Sequence, residues 1–496
     1  MMKKSKAVRC LKIAEPLLFE KSRKGRSGFE VPEDLFAGAG DGIPSDHLRG
    51  ELTGLPEVTE PEAVRHYVRL SQFNFGVDTG LYPLGSCTMK YNPKINEHTA
   101  SLPGFARIHP YLPDESVQGA LGLMFELERY LAEISGMAGV TLQPAAGAHG
   151  EFTGIRIIRA ALEKKGQKRH KVLIPDTAHG TNPASCSLNG YSVVEVKSSD
   201  RGELSAEQVA QVMDDDTAAL MVTNPNTLGL FEEEIGKIAR IVHERGGYMY
   251  GDGANLNALM GVARPGDMGF DVIQFNLHKT FSTPHGGGGP GSGPVGVCSE
   301  LVPFLPIPRP VKTEQGFRLV ADLPDSIGRV RAFFGNFLIM VRAYTYIREL
   351  GGEGLTQATR MAVLNANYVR ALLRGLYDIP FDRICMHECV ATDADFKKQK
   401  VSNVDVAKAL IDRGFHPPTV SFPICVHGAL MIEPTETETR EELDRFVDAL
   451  KEIREVAMTD PDQLHSAPHN TYISRLDEAR AARDLILTAD MHGKEP

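Results

Sequence analysis

The stretch YGDGANLNALMG…FDVIQFNLHKTFSTPHGGGGPGSGPVGV, residues 250–297, contains an acid, Asp252, and a lysine, Lys279. Pyridoxal phosphate needs such a pair. A lysine amine makes the covalent link to its aldehyde, and a carboxylate keeps the pyridine nitrogen protonated so that the ring can accept carbanion electrons. Taken alone, an Asp and a Lys are more often a turn cap and a solvated amine. Here Ala254, two residues after the acid, leaves room for a flat ring, and His278 directly precedes the lysine.

Other segments carry compatible chemistry. LQPAAGAHGEFTGIRIIRAALEKKG (142–166) sets Gly147, Ala148 and Gly150 at the start of a helical pattern. Free N–H groups at a helix N-terminus, unobstructed by bulky side chains, make a phosphate seat. DTAHGTNPAS (176–185) puts His179 where an imidazole could stack on a ring. TNPNTLGLFE (223–232) offers Asn226 and Thr227 as hydrogen-bonding groups for the cofactor. The run HGGGGPGSGP lacks the GxxxxGK[ST] spacing of a Walker loop, and its place after Lys279 suggests a backbone that closes on a ligand.

These residues need a scaffold that brings them together. The short apolar runs at 171–176, 191–197, 217–223, 247–253 and 270–275 are bounded by Gly, Pro, Asn or Asp, and helical patterns such as 231–247 lie between some of them. Strands alternating with helices give an α/β fold whose mostly parallel sheet is buried on both faces. In such a sheet the ligand crevice lies at the carboxyl ends of the strands, where Asp252 and Lys279 are both delivered. VGVCSE (295–300) is a further strand candidate. Ala120, Met124, Leu127, Leu131 and Ile134 form one apolar stripe on a helix that Gly136 ends.

Four regions are expected: an N-terminal arm (1–60), a cofactor-binding large domain (61–330), a smaller α+β C-terminal domain (331–458) and a tail (459–496). The 335–352 stretch reads as a helix ended by Gly351, leading into the small domain. Strands are expected in MHECVA, PTVSFPICV and ALMIEP, with a capping box formed by Thr439 and Glu442, and a helix near 474–488.

Composition excludes several classes. Lys and Arg number 54 against 64 Asp and Glu, a net charge of −10, and no basic run with interleaved aromatics suggests a nucleic-acid platform. No apolar stretch approaches a membrane span, and Lys12 and Glu15 interrupt any signal-peptide core. Seven cysteines without a CxxC pair fit a reducing compartment, so a cytoplasmic location is expected and no metal site. Cys385 and Cys389 read as core residues.

YPLGSCTMKYNPK (82–94), QPAAGAHGE, AHGTNPAS, TNPNTLGLFE, DGANLNA, the His-Lys-Thr block with its glycine run, GNFLIMVRAYTYIRELG and MIEPTETE together resemble the glycine decarboxylase P-protein family, over roughly residues 50–460. The length matches the lysine-bearing half found where that protein is split into two subunits. The resemblance implies a fold-type I enzyme holding pyridoxal 5'-phosphate. It also implies a homologous subunit 1 as partner, with two copies of each, and a lipoylated H-protein as co-substrate for glycine.

By resemblance, Lys279 is the covalent lysine, Asp252 the partner of the pyridine nitrogen and His179 the stacking residue. Gly147, Ala148 and His278 would lie near the phosphate, and Ser86, Cys87 and Thr88 in a loop at the substrate mouth. Decarboxylation calls for a loosely held carboxylate, since a tight clamp stabilises the ground state. Two other readings compete: another fold-type I enzyme, such as a cysteine desulfurase using Cys87 or a stand-alone amino-acid decarboxylase, and a non-catalytic interface subunit. The latter has no use for the Asp252–Lys279 pair.

Overall fold

The computed structural model describes residues 15–30, 42–48, 50, 54–285 and 291–488. Part of the expected N-terminal arm, and residues 286–290 of the glycine run with their expected closure on a ligand, lie outside the described residues. The chain forms two compact units. The smaller comprises Met1–Gly76, Asp412–Gly414 and Ser466–Pro496. Its Glu60–Gln72 helix starts at Thr59, whose N–H donates to the Glu62 carboxylate at 2.9 Å. Near the expected 474–488 helix, only Glu478–Arg483 is helical.

The larger unit, Val77–Ile411 and Phe415–His465, is built on a seven-stranded sheet. Its strands are β1 (Gly139–Thr141), β2 (Lys171–Pro175), β3 (Ser192–Val196), β4 (Thr217–Thr223), β5 (Tyr248–Gly253), β6 (Val272–Phe275) and β7 (Val295–Val297), in the order β1-β7-β6-β5-β4-β2-β3. β3, β2, β4, β5 and β6 are mutually parallel, while β7 runs antiparallel to both β6 and β1. The five parallel strands are those the apolar runs foretell, and β7 is the VGV part of VGVCSE. β1, three residues long, leaves no comparable apolar run to read.

β4 is buried at all seven positions, as expected of a strand covered on both faces. One face of the sheet shares an apolar cluster with Leu123, Leu127 and Leu131 of the Gln118–Ser135 helix, which lies against β1 and β7 and ends in left-handed Gly136. The other face packs against Ile155, Ile158 and Leu162 of the Gly147–Lys164 helix. Burying each such side chain contributes about 1.5–3 kcal/mol, enough to hold both helices on the sheet.

A hairpin of β8 (Arg309–Thr313) and β9 (Gly316–Val320) follows, then a small antiparallel sheet ordered β10 (Cys389–Thr392), β12 (Ala429–Ile432), β11 (Thr419–Val420). The helical run Phe337–Leu373 breaks at Gly351, as its sequence suggests, but resumes at once. Gly351 takes φ 59°, ψ −177°, a conformation open to glycine, so it kinks the helix rather than ending it. Thr439 caps the Arg440–Thr459 helix, its side chain accepting from the Glu442 N–H at 3.3 Å. Cys385 and Cys389 are buried, and no described helix is long and apolar enough to cross a membrane.

Candidate active site at the strand ends

The carboxyl ends of the parallel strands surround a cavity of about 280 Å³, close to the lower end of ordinary small-molecule sites, ~300 Å³. Asp252 reaches it from the end of β5 and Lys279 from the helical turn after β6. Ser86, Cys87, Gly147, Ala148, His179, Thr227, Ala254 and His278 are on its wall as well.

Asn226 and Thr88 are not. Asn226 is 1% exposed and serves its own turn: its amide donates to Gly202 O and Glu232, both at 2.8 Å, and its oxygen accepts from the Leu228 and Leu230 N–H groups. No group is left for a ligand. Thr88 donates to the buried Glu433 at 2.6 Å.

Asp252 is buried and accepts three hydrogen bonds, from Gln274 Nε2, Asn182 Nδ2 at 3.0 Å and Ala254 N at 3.0 Å. The parallel register sets Gln274 of β6 directly beside it. Tyr250 in turn donates to Gln274 Oε1 at 2.8 Å, so two side chains in series orient the carboxylate. Asn182 also donates to Glu151 at 3.0 Å, tying the two acids together. Burial raises the Glu151 pKa, and the charge of Asp252 raises it further.

Lys279 Nζ donates to the Ser86 carbonyl at 2.6 Å. Ser86 has a left-handed φ of 59° and its N–H donates to Glu388 at 2.7 Å. Burial lowers the pKa of His179, and pulls His278 down to about 3 and His285 to about 4, with Lys279 opposing their charge. All three imidazoles are therefore neutral at pH 7. Burial pushes the Cys87 thiol up, and it lies 3.6 Å from His285 Nδ1. A protonated thiol against a neutral imidazole is not an activated nucleophile.

The Gly147–Lys164 helix opens at Ala146, which has no side chain to cap the first N–H groups, and Ala146, Gly147 and Ala148 all face the cavity. A Cβ on Gly147 would lie 2.8 Å from Asn276, and one on Gly293 only 2.0 Å from the Ala146 carbonyl, so both must stay glycine for this turn to form. Thr223 Oγ1 and Asn276 Oδ1 are buried without hydrogen-bond partners, which leaves polar groups at the wall for a ligand. An amine, a buried carboxylate and an open helix N-terminus around one cavity fit pyridoxal phosphate.

Sequence reasoning missed Glu151, Asn182, Gln274 and Glu388. AGAHGE and AHGTNPAS contain the first two, but only tertiary contact shows that both bear on Asp252.

Comparison with known proteins gives consistent results. Residues 358–471 match the family model described as glycine dehydrogenase, C-terminal domain, and residues 149–288 match aminotransferase class-V. The chain is 57% identical over 475 residues to a probable glycine dehydrogenase (decarboxylating) subunit 2 of Listeria monocytogenes, covering 95% of this chain and 97% of that one. It is 55% identical over 487 residues to the protein of that name from Caldanaerobacter subterraneus, covering 96% and 99%. In fold it is similar to the crystal structure of glycine decarboxylase (P-protein) of the glycine cleavage system in inhibitor-bound form, with TM-score 0.70, 22% identity, and 84% and 94% of the two chains covered.

Proposed function

Because the chain belongs to the glycine dehydrogenase (decarboxylating) subunit 2 family, we propose that it is the lysine-bearing half of a glycine decarboxylase, working in the cytoplasm with subunit 1 as two copies of each. It releases the glycine carboxylate as CO2 and passes the aminomethyl group to the lipoyl arm of an H-protein. The observation that carries this reading is the meeting of Lys279, the triply bonded Asp252 and an uncapped helix N-terminus on one cavity.

Pyridoxal phosphate, when bound, supplies an aldehyde that captures amines and a protonated ring that takes up the electron pair left as CO2 departs. The protein does the rest. Lys279 Nζ offers the amine for the covalent link, and the Ser86 carbonyl holds it in place beforehand. Asp252, fixed by its three donors, is the carboxylate for the ring nitrogen. Neutral His179 stacks without adding positive charge beside that nitrogen. The N–H groups at Gly147 and Ala148 receive the phosphate. No arginine lines the cavity among the described residues, which fits a carboxylate that must be free to leave.

The test uses the chain with subunit 1 and lipoylated H-protein, following exchange of labelled bicarbonate into glycine. Wild type should exchange only with the lipoyl protein present, and Lys279→Ala should reduce exchange to background. Near-normal exchange by Lys279→Ala would overturn the assignment. Persulfide formation from cysteine would favour a desulfurase instead, a chemistry that the protonated Cys87 thiol does not suit.

A further inference from the structure

Behind Lys279 lies a second cluster that the reading above does not use. Glu388 immediately precedes β10 and Glu433 immediately follows β12, and the antiparallel register that pairs Cys389 with Ile432 sets the two glutamates opposite each other. Both are 0% exposed, as is the adjoining His387. One oxygen of each glutamate is engaged by the 86–88 segment: Glu388 accepts from the Ser86 N–H at 2.7 Å and Glu433 from Thr88 Oγ1 at 2.6 Å. The other oxygen of each, Glu388 Oε1 and Glu433 Oε2, makes no hydrogen bond, nor does either nitrogen of the His387 ring, whose Nε2 lies 3.6 Å from Glu388 Oε1. One donor atom from each of the three residues lies within 4.8 Å of the others.

Two carboxylates set side by side out of water cannot both carry charge without a compensating cation or proton. The facing charged and titratable groups are few. Lys279 bears on all three members of the cluster, Glu436 bears on Glu433, and Cys87 lies nearby. Glu436 is itself paired with Lys90 at 2.8 Å, so that cation is already engaged. Burial and mutual repulsion raise the Glu388 pKa and burial raises that of Glu433, while burial keeps His387 neutral. A single proton held by the two neighbouring carboxylates leaves one negative charge facing Lys279.

We propose that Glu388 and Glu433 are positioning residues that share one proton and clamp the 86–88 segment, so that the Ser86 carbonyl stays aimed at Lys279 Nζ. Ser86 supplies the link: its N–H is held by Glu388 while its carbonyl receives Lys279, on either side of a left-handed residue that needs outside support. The second half of the proposal rests on Lys279 being the lysine that bonds the cofactor; the shared proton does not.

Two readouts separate these parts. The first is the infrared carboxylic-acid C=O band of the cofactor-free chain near neutral pH, as a wild-type-minus-Glu388→Gln difference. A positive band is expected, because a lone Glu433 beside Lys279 loses the proton. The second is borohydride trapping of pyridoxal phosphate on Lys279 in the complex with subunit 1. Glu388→Ala should slow trapping by about tenfold, the effect of losing one charge-assisted hydrogen bond, and Glu388→Gln, whose amide oxygen can still accept from Ser86, should restore most of it.

No difference band, or equal trapping by wild type and Glu388→Ala, would overturn the proposal. So would one equivalent of zinc retained through dialysis by wild type and lost in His387→Ala, since a cation would then stand in place of the proton. A band with no adduct on wild-type Lys279 would uphold the shared proton while defeating the functional reading.

Discussion

Asp252 illustrates how a single side chain is made ready by others. Its three hydrogen-bond donors come from β6, from the Thr181–Leu188 helix and from its own turn. Asp252→Asn should keep the shape but lose the charge facing the ring nitrogen, lowering glycine decarboxylation by about 10²–10³-fold, as for other losses of preorganised electrostatic groups. Steady-state exchange assays with matched cofactor occupancy check this, and a loss below threefold would contradict the role given to Asp252. Lys279, Asp252, Ala254 and His179 could be picked out from the sequence because each follows a run recognisable as a strand. Asn226 misled for the same reason: it follows β4 but is consumed by its own turn. Glu151 and Gln274 could not be found, because what marks them is a neighbour in the folded sheet.

Gly154 shows the same dependence among whole elements. On the Gly147–Lys164 helix, a Cβ at this position would lie 2.5 Å from the Tyr250 ring and 2.8 Å from Val272, so the helix comes this close to the sheet only with glycine there. Gly154→Ala should destabilise the chain by about 1–3 kcal/mol through overpacking. Because Tyr250 holds Gln274, which holds Asp252, cofactor retention should weaken alongside. Denaturant unfolding and equilibrium dialysis of pyridoxal phosphate check both, and unchanged stability would show that the contact relaxes freely. The parallel strands were readable because they are apolar, short and bounded by turn residues. β1 was hard to place because three residues carry no periodicity of their own, while β11 is the two-residue strand inside the expected PTVSFPICV. The kink at Gly351 looked like an end because a left-handed glycine is the usual signal of one.

The molecule as a whole buries acids and histidines in numbers sufficient to shape its pH response. Burial raises Glu128 to about 8 and Glu232 and Glu438 to about 7, from an ordinary 4.5. An acid raised on folding is bound to its proton more often in the folded state, so its contribution is complete below pH 4.5 and is lost as pH climbs through 7 and 8. His278, His285 and His387, pulled from 6.5 down to about 3, 4 and 3, contribute above 6.5 and lose it as pH falls toward 3. Between pH 6.5 and 8 the raised acids, and His243, whose hydrogen bond to Asp271 raises it, all lose their contribution as pH climbs, so the cofactor-free chain should melt at progressively lower temperature across that window. Glu232→Gln should flatten part of the slope. Calorimetric scans at fixed ionic strength read it, and a melting temperature that rises from pH 6.5 to 8 would contradict the burial of these carboxyls. The division into a large cofactor domain and a smaller C-terminal one, with a boundary near 330, remains our proposal for how the chain shares this work.

All of the chemistry depends on one bond. The measurement to make is the visible absorbance of the chain purified with subunit 1 and pyridoxal phosphate, repeated after borohydride and followed by peptide mass mapping. A yellow band that collapses on reduction, leaving the cofactor's mass on the peptide containing Lys279, is the expected result. A complex that stays colourless, or an adduct carried by any other lysine, would contradict the site described above.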